Sequence, residues 1–311
     1  MKAVRFHDYG GIEVLRYEDV ERPAPGPGEV LVQVAGAAFN PIDTWFRAGI
    51  LDQFLPVTFP HTLGIDVAGT VIEQGEGVEA PAIGDAVIGF LPLPGTGAAA
   101  EFAVAPAAAL APAPTNVALA DAAAIPVAAL TAWQALFELG ELSSGQRVLI
   151  NGAGGGVGGF AVQLAKGAGA TVIATASARS AETVRSFGAD EVIDYTTTMI
   201  GDAVREPVDL VVNLVPGSPE DIIALLNVTK PGGVLISATS PGGEFPEYDV
   251  RVEFINVRSD PADLTQIVKQ VEAGTLHLDI SDRRPLAETS IVHEQSEAGA
   301  IRGRVVLVPG E

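Results

Sequence analysis

The chain has 311 residues, enough for two domains, and its 48% hydrophobic and 18% charged residues are typical of a folded α/β protein rather than a disordered one. Its formal net charge of −21 disfavours nucleic acid and anionic membranes as partners. The absence of cysteine excludes disulfides, thiolate metal sites and a cysteine nucleophile.

The first 110 residues predict a β-rich domain. A short helix is expected directly after the Asn40-Pro41 turn. Apolar runs bounded by Gly and Pro predict strands at residues 1–6, 29–35, 63–72, 84–90 and 98–104. Because these strands are short and closely spaced, we expect a small, highly curved barrel.

The composition changes near Ala105, where an Ala- and Pro-rich stretch predicts a crossing between domains. Helices are expected at 119–125 and 130–139, interrupted at Pro126. A buried strand at 147–150, a glycine-rich turn, a helix at 160–166 and a second strand at 171–176 follow within about thirty residues. This succession of elements predicts a dinucleotide-binding unit.

Two glycine registers fit the turn of this unit. The literal G-x-G-x-x-G pattern is formed by Gly154, Gly156 and Gly159. The A-x-G-x-x-G variant is formed by Ala153, Gly155 and Gly158, with Gly156 and Val157 between the last two. Glycines here let the backbone approach a pyrophosphate, which the helix N-terminus attracts with unpaired N–H groups.

Alternation of strands and helices continues beyond this unit. Further strands are predicted at 191–195, 208–214, 233–238 and 251–257, and helices at 181–187 and 219–226. With the two strands around the glycine turn, they predict a doubly wound, mostly parallel six-stranded sheet. An amphipathic helix at 261–273, a helix at 290–299 and a strand at 303–308 end the chain.

The end of the second strand of the nucleotide-binding unit indicates which dinucleotide is bound. An NAD site places an acidic residue there to bind the ribose 2′-OH. This chain has Ser177 and Arg179 instead, and its next acidic residue is Glu182. A hydroxyl and a guanidinium suit a 2′-phosphate, which favours NADPH. The alternative is that both side chains belong to a solvated loop that opens a helix.

Taken together, the chain resembles the medium-chain dehydrogenase/reductase superfamily, and within it the zinc-free quinone oxidoreductase branch that includes zeta-crystallin. Motifs that carry this resemblance are Ala38 to Asp43, Pro60 through Gly64 to Gly69, Gly84-Asp85, Leu130 to Trp133, Asn151 to Gly158, Phe187 to Asp190, Asp194-Tyr195 and Gly303 to Leu307. It implies a GroES-like catalytic domain at 1–117, a Rossmann domain at 118–257, a return segment at 258–311 that completes the first domain, and a homodimer.

Zinc-dependent members of the superfamily carry Cys at the position of Asn40 and Gly-His-Glu at the position of Gly64-Ile65-Asp66. A catalytic zinc needs about three Cys, His or carboxylate ligands. The lobe that holds four cysteines in those relatives corresponds here to a cysteine-free loop near residues 90–101. The chain's four histidines show no ligand spacing, although His61 lies close to the expected cleft. We therefore expect no bound metal.

The resemblance also implies the site residues. Asn40 is the candidate donor to a developing oxyanion, Asp43 lies beside the cleft, and Trp45 occupies a position where many relatives have Tyr. Without substrate or cofactor contacts, Asn40 would be a turn residue before proline and Asp43 an acid at a helix N-terminus. The candidate cofactor contacts beyond the glycine turn, Ser177 and Arg179 are Thr131, Tyr195, Asn213, Leu214, Ser237 and Thr239. Thr131 could equally be a buried helix hydroxyl bonded to its own backbone.

These features predict a zinc-independent, NADPH-dependent reductase that transfers hydride to a quinone. Two alternatives remain: reduction of an α,β-unsaturated carbonyl, either an alkenal or an enoyl thioester, and an NADPH-binding structural or sensory protein with little turnover. The N-terminus lacks the apolar segment of a signal peptide, and no apolar run looks long enough to span a membrane. A cytoplasmic location is expected, with a small-molecule substrate as the principal partner.

Overall fold

The computed structural model describes residues 1–239 and 245–310, which form two compact units. The first unit comprises Met1–Val127, Ser259–Ala273 and the chain from Ile280 onward. The second comprises Ala128–Arg258 and Gly274–Asp279. The first boundary therefore lies at Val127 rather than at residue 117. The reason is that a short helix of this stretch, α2 (Leu119–Ala122), packs on strands of the first unit.

Strands of the first unit form a seven-stranded sheet and a three-stranded sheet. The larger sheet has the order β15-β16-β3-β5-β6-β8, with β7 also paired with β3, and the smaller has the order β2-β1-β4. Their bounds are β1 (Lys2–Phe6), β2 (Arg16–Asp19), β3 (Glu29–Ala38), β4 (His61–Thr62), β5 (Asp66–Gln74), β6 (Ala86–Phe90), β7 (Phe102–Pro106), β8 (Leu110–Pro112), β15 (Ile280–Pro285) and β16 (Arg304–Val308). This mixed, β-rich architecture confirms the predicted GroES-like domain.

Two breaks in register between β3 and β5 allow the sheet to curve. One of them lies at Gly36, where an added Cβ would stand 2.4 Å from the carbonyl oxygen of Ala120 in α2. Glycine is required here because the backbone of α2 lies directly on the strand.

The last strand of the chain, β16, pairs antiparallel with β3, placing Leu307 opposite Ala37. The C-terminal segment thus returns to the first unit and brings Arg304 into its interior. This unit also contains α1 (Pro41–Arg47), α8 (Pro261–Glu272) and α9 (Thr289–Glu297). The apolar side chains predicted along one face of α8 are buried, namely Leu264, Ile267, Val268 and Val271.

The second unit contains a parallel sheet of six strands in the order β11-β10-β9-β12-β13-β14, which confirms the predicted six-stranded Rossmann sheet. These strands are β9 (Arg147–Asn151), β10 (Thr171–Ala176), β11 (Glu191–Asp194), β12 (Val208–Asn213), β13 (Thr229–Ser237) and β14 (Val250–Phe254). Its helices are α3 (Pro126–Trp133), whose first residues lie in the other unit, α4 (Gly156–Gly167), α5 (Ala181–Ser186), α6 (Ile200–Ala203) and α7 (Pro219–Val228).

Helix α4 begins at Gly156, not at Phe160 as the apolar pattern predicted. Its first turn consists largely of glycine, which has a low helix propensity and contributes no apolar side chain to a periodic pattern. The helix N-terminus therefore lies inside the glycine turn, with Gly155 as the N-cap residue.

The helical segment Leu119–Leu139 is long and apolar enough, by length and composition alone, to cross a membrane. No apolar run of that length was expected from the sequence. It includes α2, α3 and a π-helical stretch, Gln134–Leu139. In the structure, 78% of the apolar 18-residue stretch within this segment is buried inside the protein. Burial of this kind is typical of a core helix, and the segment is weak support for a membrane span.

Candidate active site

In the first unit, the predicted catalytic residues surround the start of α1. Asn40 is the N-cap residue, and Pro41 occupies the first helical position, where the lost N–H costs nothing. The backbone N–H of Asn40 donates to Oδ2 of Asp43 at 2.9 Å, and the N–H of Gly64 donates to Oδ1 of Asp43 at 3.2 Å. The Asp43 carboxyl group thus joins α1 to the turn before β5.

A buried guanidinium completes this network. Arg304 donates from Nη1 to Oδ1 of Asn40 at 2.9 Å and from Nη2 to Oδ2 of Asp66 at 2.5 Å. The amide nitrogen of Asn40 donates to Oδ2 of Asp66 at 2.9 Å and to the carbonyl oxygen of Ala38 at 3.1 Å. Oδ1 of Asp66 accepts the backbone N–H of Val127 at 2.7 Å. Both amide protons of Asn40 therefore already have acceptors.

The electrostatics of Asp43 follow from this burial. Asp43 is buried, and desolvation, aided by the neighbouring charge of Asp66, raises the pKa of Asp43 to about 7. Two backbone N–H groups and Arg304 oppose this effect. Near pH 7, the Asp43 carboxyl is therefore about half protonated.

The donor set around Asn40 does not fit a catalytic zinc. The three positions that the resemblance assigns to zinc ligands are occupied by a bonded amide, an isoleucine and a carboxylate that is paired with Arg304. Within residues 1–239 and 245–310, no three His, Asp or Glu side chains lie close enough together to hold a metal ion. A Zn²⁺ would also meet the positive charge of the guanidinium.

Asp43 also lines a small cavity of about 10 Å³ in the first unit, together with His61 and Gly64. The ring of His61 packs against Phe6 and Phe46. Burial lowers the pKa of His61 to about 4, so the imidazole is neutral at physiological pH. Trp45, two residues beyond Asp43, is only half-buried, so its indole remains accessible from solvent.

In the second unit, residues of the glycine turn differ in accessibility. Ala153 and Gly158 are buried, Gly156 and Val157 are half-buried, and Gly155 is exposed. A Cβ on Gly158 would stand 2.4 Å from the carbonyl oxygen of Gly152 and 2.5 Å from Cα of Ala153. A Cβ on Gly155 would lie no closer than 3.5 Å to its neighbours. Gly158 is thus required for close packing of helix and strand, whereas Gly155 presents open backbone.

A chain of polar side chains connects the carboxyl ends of four neighbouring strands. Thr175 accepts the N–H of Gly152 at 2.9 Å and donates to Asn151 at 2.8 Å. Asn151 in turn donates to Asn213 at 2.8 Å, and Asn213 donates to Ser237 at 3.4 Å. Carboxyl ends of parallel strands are where such sheets bind cofactors.

The remaining predicted cofactor residues lie around the same edge of the second unit. Ser177 and Arg179 follow β10, and Tyr195 follows β11 with 54% of its surface exposed. Leu214 donates its N–H to Asn151, and Thr239 donates its hydroxyl to the carbonyl oxygen of Val215 at 2.9 Å. Thr131 lies apart from them in sequence, buried on α3.

Sequence reasoning missed three residues that organise these sites. Asn151 and Thr175 end parallel strands, so the rule that selected Asn213 could have found them as well. Arg304 lies within the Gly303 to Leu307 motif, but the sequence could not connect it with Asn40, because 264 residues separate the two and only the pairing of β16 with β3 brings them together.

Comparison with known proteins agrees with this architecture. The family model for the alcohol dehydrogenase GroES-like domain matches residues 26–115, and that for zinc-binding dehydrogenases matches residues 187–307. The chloroplast envelope quinone oxidoreductase homolog of Arabidopsis thaliana is 34% identical, with 99% of this chain and 98% of that protein covered. The NADPH-dependent alkenal/one oxidoreductase of the same plant is 33% identical, with 99% and 80% covered.

Among solved structures, the quinone oxidoreductase from Coxiella burnetii superimposes with a TM-score of 0.92 and 32% sequence identity, covering 100% of this chain and 99% of that one. These matches extend over both units of the fold described above. The chain is an NAD(P)H-dependent oxidoreductase and belongs to the medium-chain dehydrogenase/reductase superfamily, in its quinone-oxidoreductase-like branch.

Proposed function

We propose that the chain is a zinc-independent, NADPH-dependent reductase that transfers hydride to a quinone. The observation that carries the proposal is the Arg304–Asp66–Asn40 network. Asn40 and Asp66 occupy two of the zinc-ligand positions, and the guanidinium of Arg304 is bonded to both. Acceptors that take hydride without a Lewis acid suit such a site, and quinones are among the most readily reduced. Kinship to quinone oxidoreductases supports this acceptor class.

The residues of the second unit fit NADPH. Exposed Gly155 is the N-cap of α4, so the first N–H groups of that helix can bind a pyrophosphate. The close packing required at Gly158 supports the Ala153-Gly155-Gly158 register, whose third glycine lies between helix and strand. Ser177 and Arg179 follow the end of β10, where they can bind a 2′-phosphate. When bound, NADPH supplies the hydride.

The residues of the first unit would position the acceptor and manage its proton. Asn40 can donate to a developing oxyanion only by giving up one of its two present acceptors, of which Ala38 is the more distant at 3.1 Å. Asp43, with its pKa near 7, is the group best suited to transfer a proton. Trp45 has no ionisable proton, so we assign it a packing role beside the acceptor.

Reduction of an α,β-unsaturated carbonyl is the second candidate, favoured by kinship to the alkenal/one oxidoreductase. Steady-state oxidation of NADPH with a panel of quinones, alkenals and a crotonyl thioester tests both. Preference for quinones supports the first candidate, and preference for alkenals or the thioester supports the second. Tight NADPH binding without turnover of any compound would instead indicate a binding protein.

The cofactor assignment has its own test, substitution of Arg179 by alanine. Loss of one charged hydrogen bond costs about 1.5–3 kcal/mol, so the Kd for NADPH should rise roughly 10- to 100-fold. The Kd for NADH should stay within about twofold, because NADH lacks the 2′-phosphate. Fluorescence titration of both cofactors measures the two effects. An equal loss for both would contradict the assignment.

A further inference from the structure

The polar chain at the carboxyl ends of the Rossmann strands runs in one direction. The hydroxyl of Thr175 accepts the backbone N–H of Gly152 at 2.9 Å, so its single proton goes to Oδ1 of Asn151, at 2.8 Å. The amide nitrogen of Asn151 must then face Oδ1 of Asn213, at 2.8 Å. The amide nitrogen of Asn213 in turn donates to the carbonyl oxygen of Val215 at 3.1 Å. Because a backbone N–H can only donate and a carbonyl oxygen can only accept, the two ends fix the orientation of both amides.

The amide of Asn213 is fully used within the protein. Asn213 is 1% exposed, and its nitrogen donates its second proton to the hydroxyl oxygen of Ser237 at 3.4 Å. Its oxygen also accepts the backbone N–H of Val215 at 3.4 Å. With the bonds to Asn151 and to the carbonyl oxygen of Val215, both donors and both acceptor sites of the amide are occupied. This side chain, which the sequence selected as a cofactor contact, is therefore bonded to the protein itself.

Thr175 fixes the start of the glycine turn at two points. In addition to the bond between its hydroxyl and Gly152, its carbonyl oxygen accepts the N–H of Ala153 at 3.0 Å. The carbonyl oxygen of Gly152 accepts the N–H of Gly155, the N-cap residue of α4, at 3.2 Å. Gly152 has φ +96°, and glycine leaves such a conformation readily once its bonds are lost. The shape of the turn therefore depends on a hydroxyl 23 residues further along the chain.

The same chain reaches the loops that follow β12 and β13. Leu214 donates its N–H to the carbonyl oxygen of Asn151 at 2.9 Å. The carbonyl oxygen of Val215 also accepts the hydroxyl of Thr239, at 2.9 Å. An added Cβ on Gly152 would stand 2.7 Å from Cγ2 of Val215, so the glycine turn and the loop after β12 are in contact. One network thus holds the loops after three neighbouring strands, β9, β12 and β13.

We propose that Thr175 and Asn213 are positioning residues for the dinucleotide, which act through Asn151 to hold the glycine turn in the conformation that receives the pyrophosphate. They act on the part of the cofactor that NADPH and NADH share, unlike Arg179, which the proposed function assigns to the 2′-phosphate. This inference rests on the proposed function only in that the glycine turn binds a pyrophosphate. It does not depend on the identity of the hydride acceptor.

The test is the substitution Thr175→Val, which keeps nearly the same side-chain shape and removes the hydroxyl. The N–H of Gly152 and Oδ1 of Asn151 then lose their partner, so only a fraction of the molecules hold the turn ready to bind. A fall of this fraction to about one tenth raises the Kd about tenfold. We expect a rise of this size, by the same factor for NADPH and NADH, in fluorescence titrations. Thr175→Ser restores the hydroxyl and should return both Kd values to within about twofold of wild type.

Thr229→Val is the matched control. Thr229 is buried in the same sheet, and its hydroxyl donates at 2.8 Å to the carbonyl oxygen of Leu225. It begins β13, so it lies at the amino end of its strand, whereas Thr175 lies near the carboxyl end of β10. The control should lose stability in urea because it also lacks a buried hydrogen bond, and it should keep both Kd values within about twofold of wild type.

A double-mutant cycle connects the two positioning residues. Asn213→Leu removes the amide and should by itself raise both Kd values about tenfold. Because the two residues act through one chain, the double variant Thr175→Val/Asn213→Leu should bind little more weakly than either single variant. Independent contributions would instead multiply to about a hundredfold. Circular dichroism identifies the folded variants, and either single variant is sufficient for the comparison of NADPH with NADH.

Failure of the inference and failure of the proposed function give different results. The positioning role is overturned by a folded Thr175→Val variant that binds both cofactors as tightly as wild type, or that weakens NADPH alone. It is also overturned if Thr175→Ser binds as weakly as Thr175→Val, if Thr229→Val weakens both cofactors to the same extent, or if the losses in the double variant multiply. A wild-type protein that binds neither cofactor overturns the proposed function, and the positioning role with it.

Discussion

At the scale of single residues, Arg304 holds together three segments that are distant in sequence. It is buried, as are both of its partners, Asn40 and Asp66. Its removal would leave the Asp66 carboxylate buried beside the amide without a counter-charge. Breaking such a buried pair by removal of one partner costs about 3–5 kcal/mol. Arg304→Met should therefore lower the free energy of unfolding by this amount, measured by urea denaturation.

The double variant Asp66→Asn/Arg304→Met separates charge from packing. It removes both charges and retains a side-chain oxygen for the N–H of Val127. Replacing both members of a buried pair costs much less than removing one, so the double variant should be more stable than Arg304→Met. An Arg304→Met variant as stable as the wild type would show that the pair does not stabilise this unit.

His293, on α9, is a second buried polar residue, inaccessible to solvent and packed edge-on against Phe39 at 5.1 Å between ring centroids. Neither ring nitrogen has a hydrogen-bond partner within the described part of the chain. Burial, and then the charge of Arg47, lower the pKa of His293 to about 3 from the usual 6.5. The unfolded chain therefore binds an additional proton between these two pH values.

The contribution of neutral His293 to the free energy of unfolding is fully present above pH 6.5 and is lost as the pH falls toward 3. At pH 4.5 the loss should reach about 3 kcal/mol, from 1.36 kcal/mol per unit of pKa difference. His293→Leu should remove this part of the acid sensitivity and cost little at pH 7.5, since it also removes two unbonded polar atoms. Urea unfolding at both pH values measures the effect, and an equal loss in wild type and variant would contradict it.

At the scale of elements, the glycine turn and α4 act as one unit with two separable requirements. Gly158 provides the contact between helix and strand, whereas Gly155 provides an open approach to the helix N-terminus. The apolar pattern could not reveal that α4 begins inside this turn, since the first helical turn has almost no side chains to pattern. The sequence therefore located the turn between strand and helix but not the start of the helix.

Alanine at each glycine should separate these requirements. Gly158→Ala forces a Cβ against backbone atoms that cannot retreat, so it should destabilise the protein by roughly 1–3 kcal/mol. Gly155 has φ −90° and ψ 173°, which alanine also adopts, and its surroundings are open. Gly155→Ala should leave the free energy of unfolding within about 0.5 kcal/mol of wild type and weaken NADPH binding about tenfold.

Thermal unfolding and NADPH titration on the same two variants measure both effects. Unchanged NADPH affinity in Gly155→Ala would contradict the Ala153-Gly155-Gly158 register for the pyrophosphate. The register of Gly154, Gly156 and Gly159 would then be tested in the same way, beginning with Gly159, whose nearest neighbour is the flexible ring of Phe187.

At the scale of the whole molecule, local signals were sufficient for the architecture of the Rossmann unit. Strand, turn and helix patterns recur in order along the Rossmann unit, so its six strands could be counted from the sequence. The interior of the first unit could not be predicted in this way, because Arg304 contacts Asn40 only through the pairing of the last strand with β3. Likewise, α2 belongs to the first unit through packing on β3 and β5, which composition does not report.

The homodimer expected from the resemblance remains a prediction, and edge strand β14 is the surface that we propose for it. Val252 is the centre of this strand, with Arg251 and Glu253 on either side and Phe254 46% exposed. Antiparallel pairing of two copies about Val252 would place Arg251 of one copy opposite Glu253 of the other, and would cover the open edge of the sheet.

A dimer has twice the 32.0 kDa mass of the chain, so sedimentation equilibrium at micromolar concentration distinguishes it directly from a monomer. Val252→Pro would break edge pairing but also disturb the pairing of β14 with β13, whereas Phe254→Lys changes an exposed side chain and leaves the backbone intact. Phe254→Lys should weaken the dimer at least tenfold, because each copy would bury a charge in place of an aromatic ring. A wild-type chain that sediments as a monomer, or a Phe254→Lys dimer of undiminished affinity, would exclude this edge as the interface.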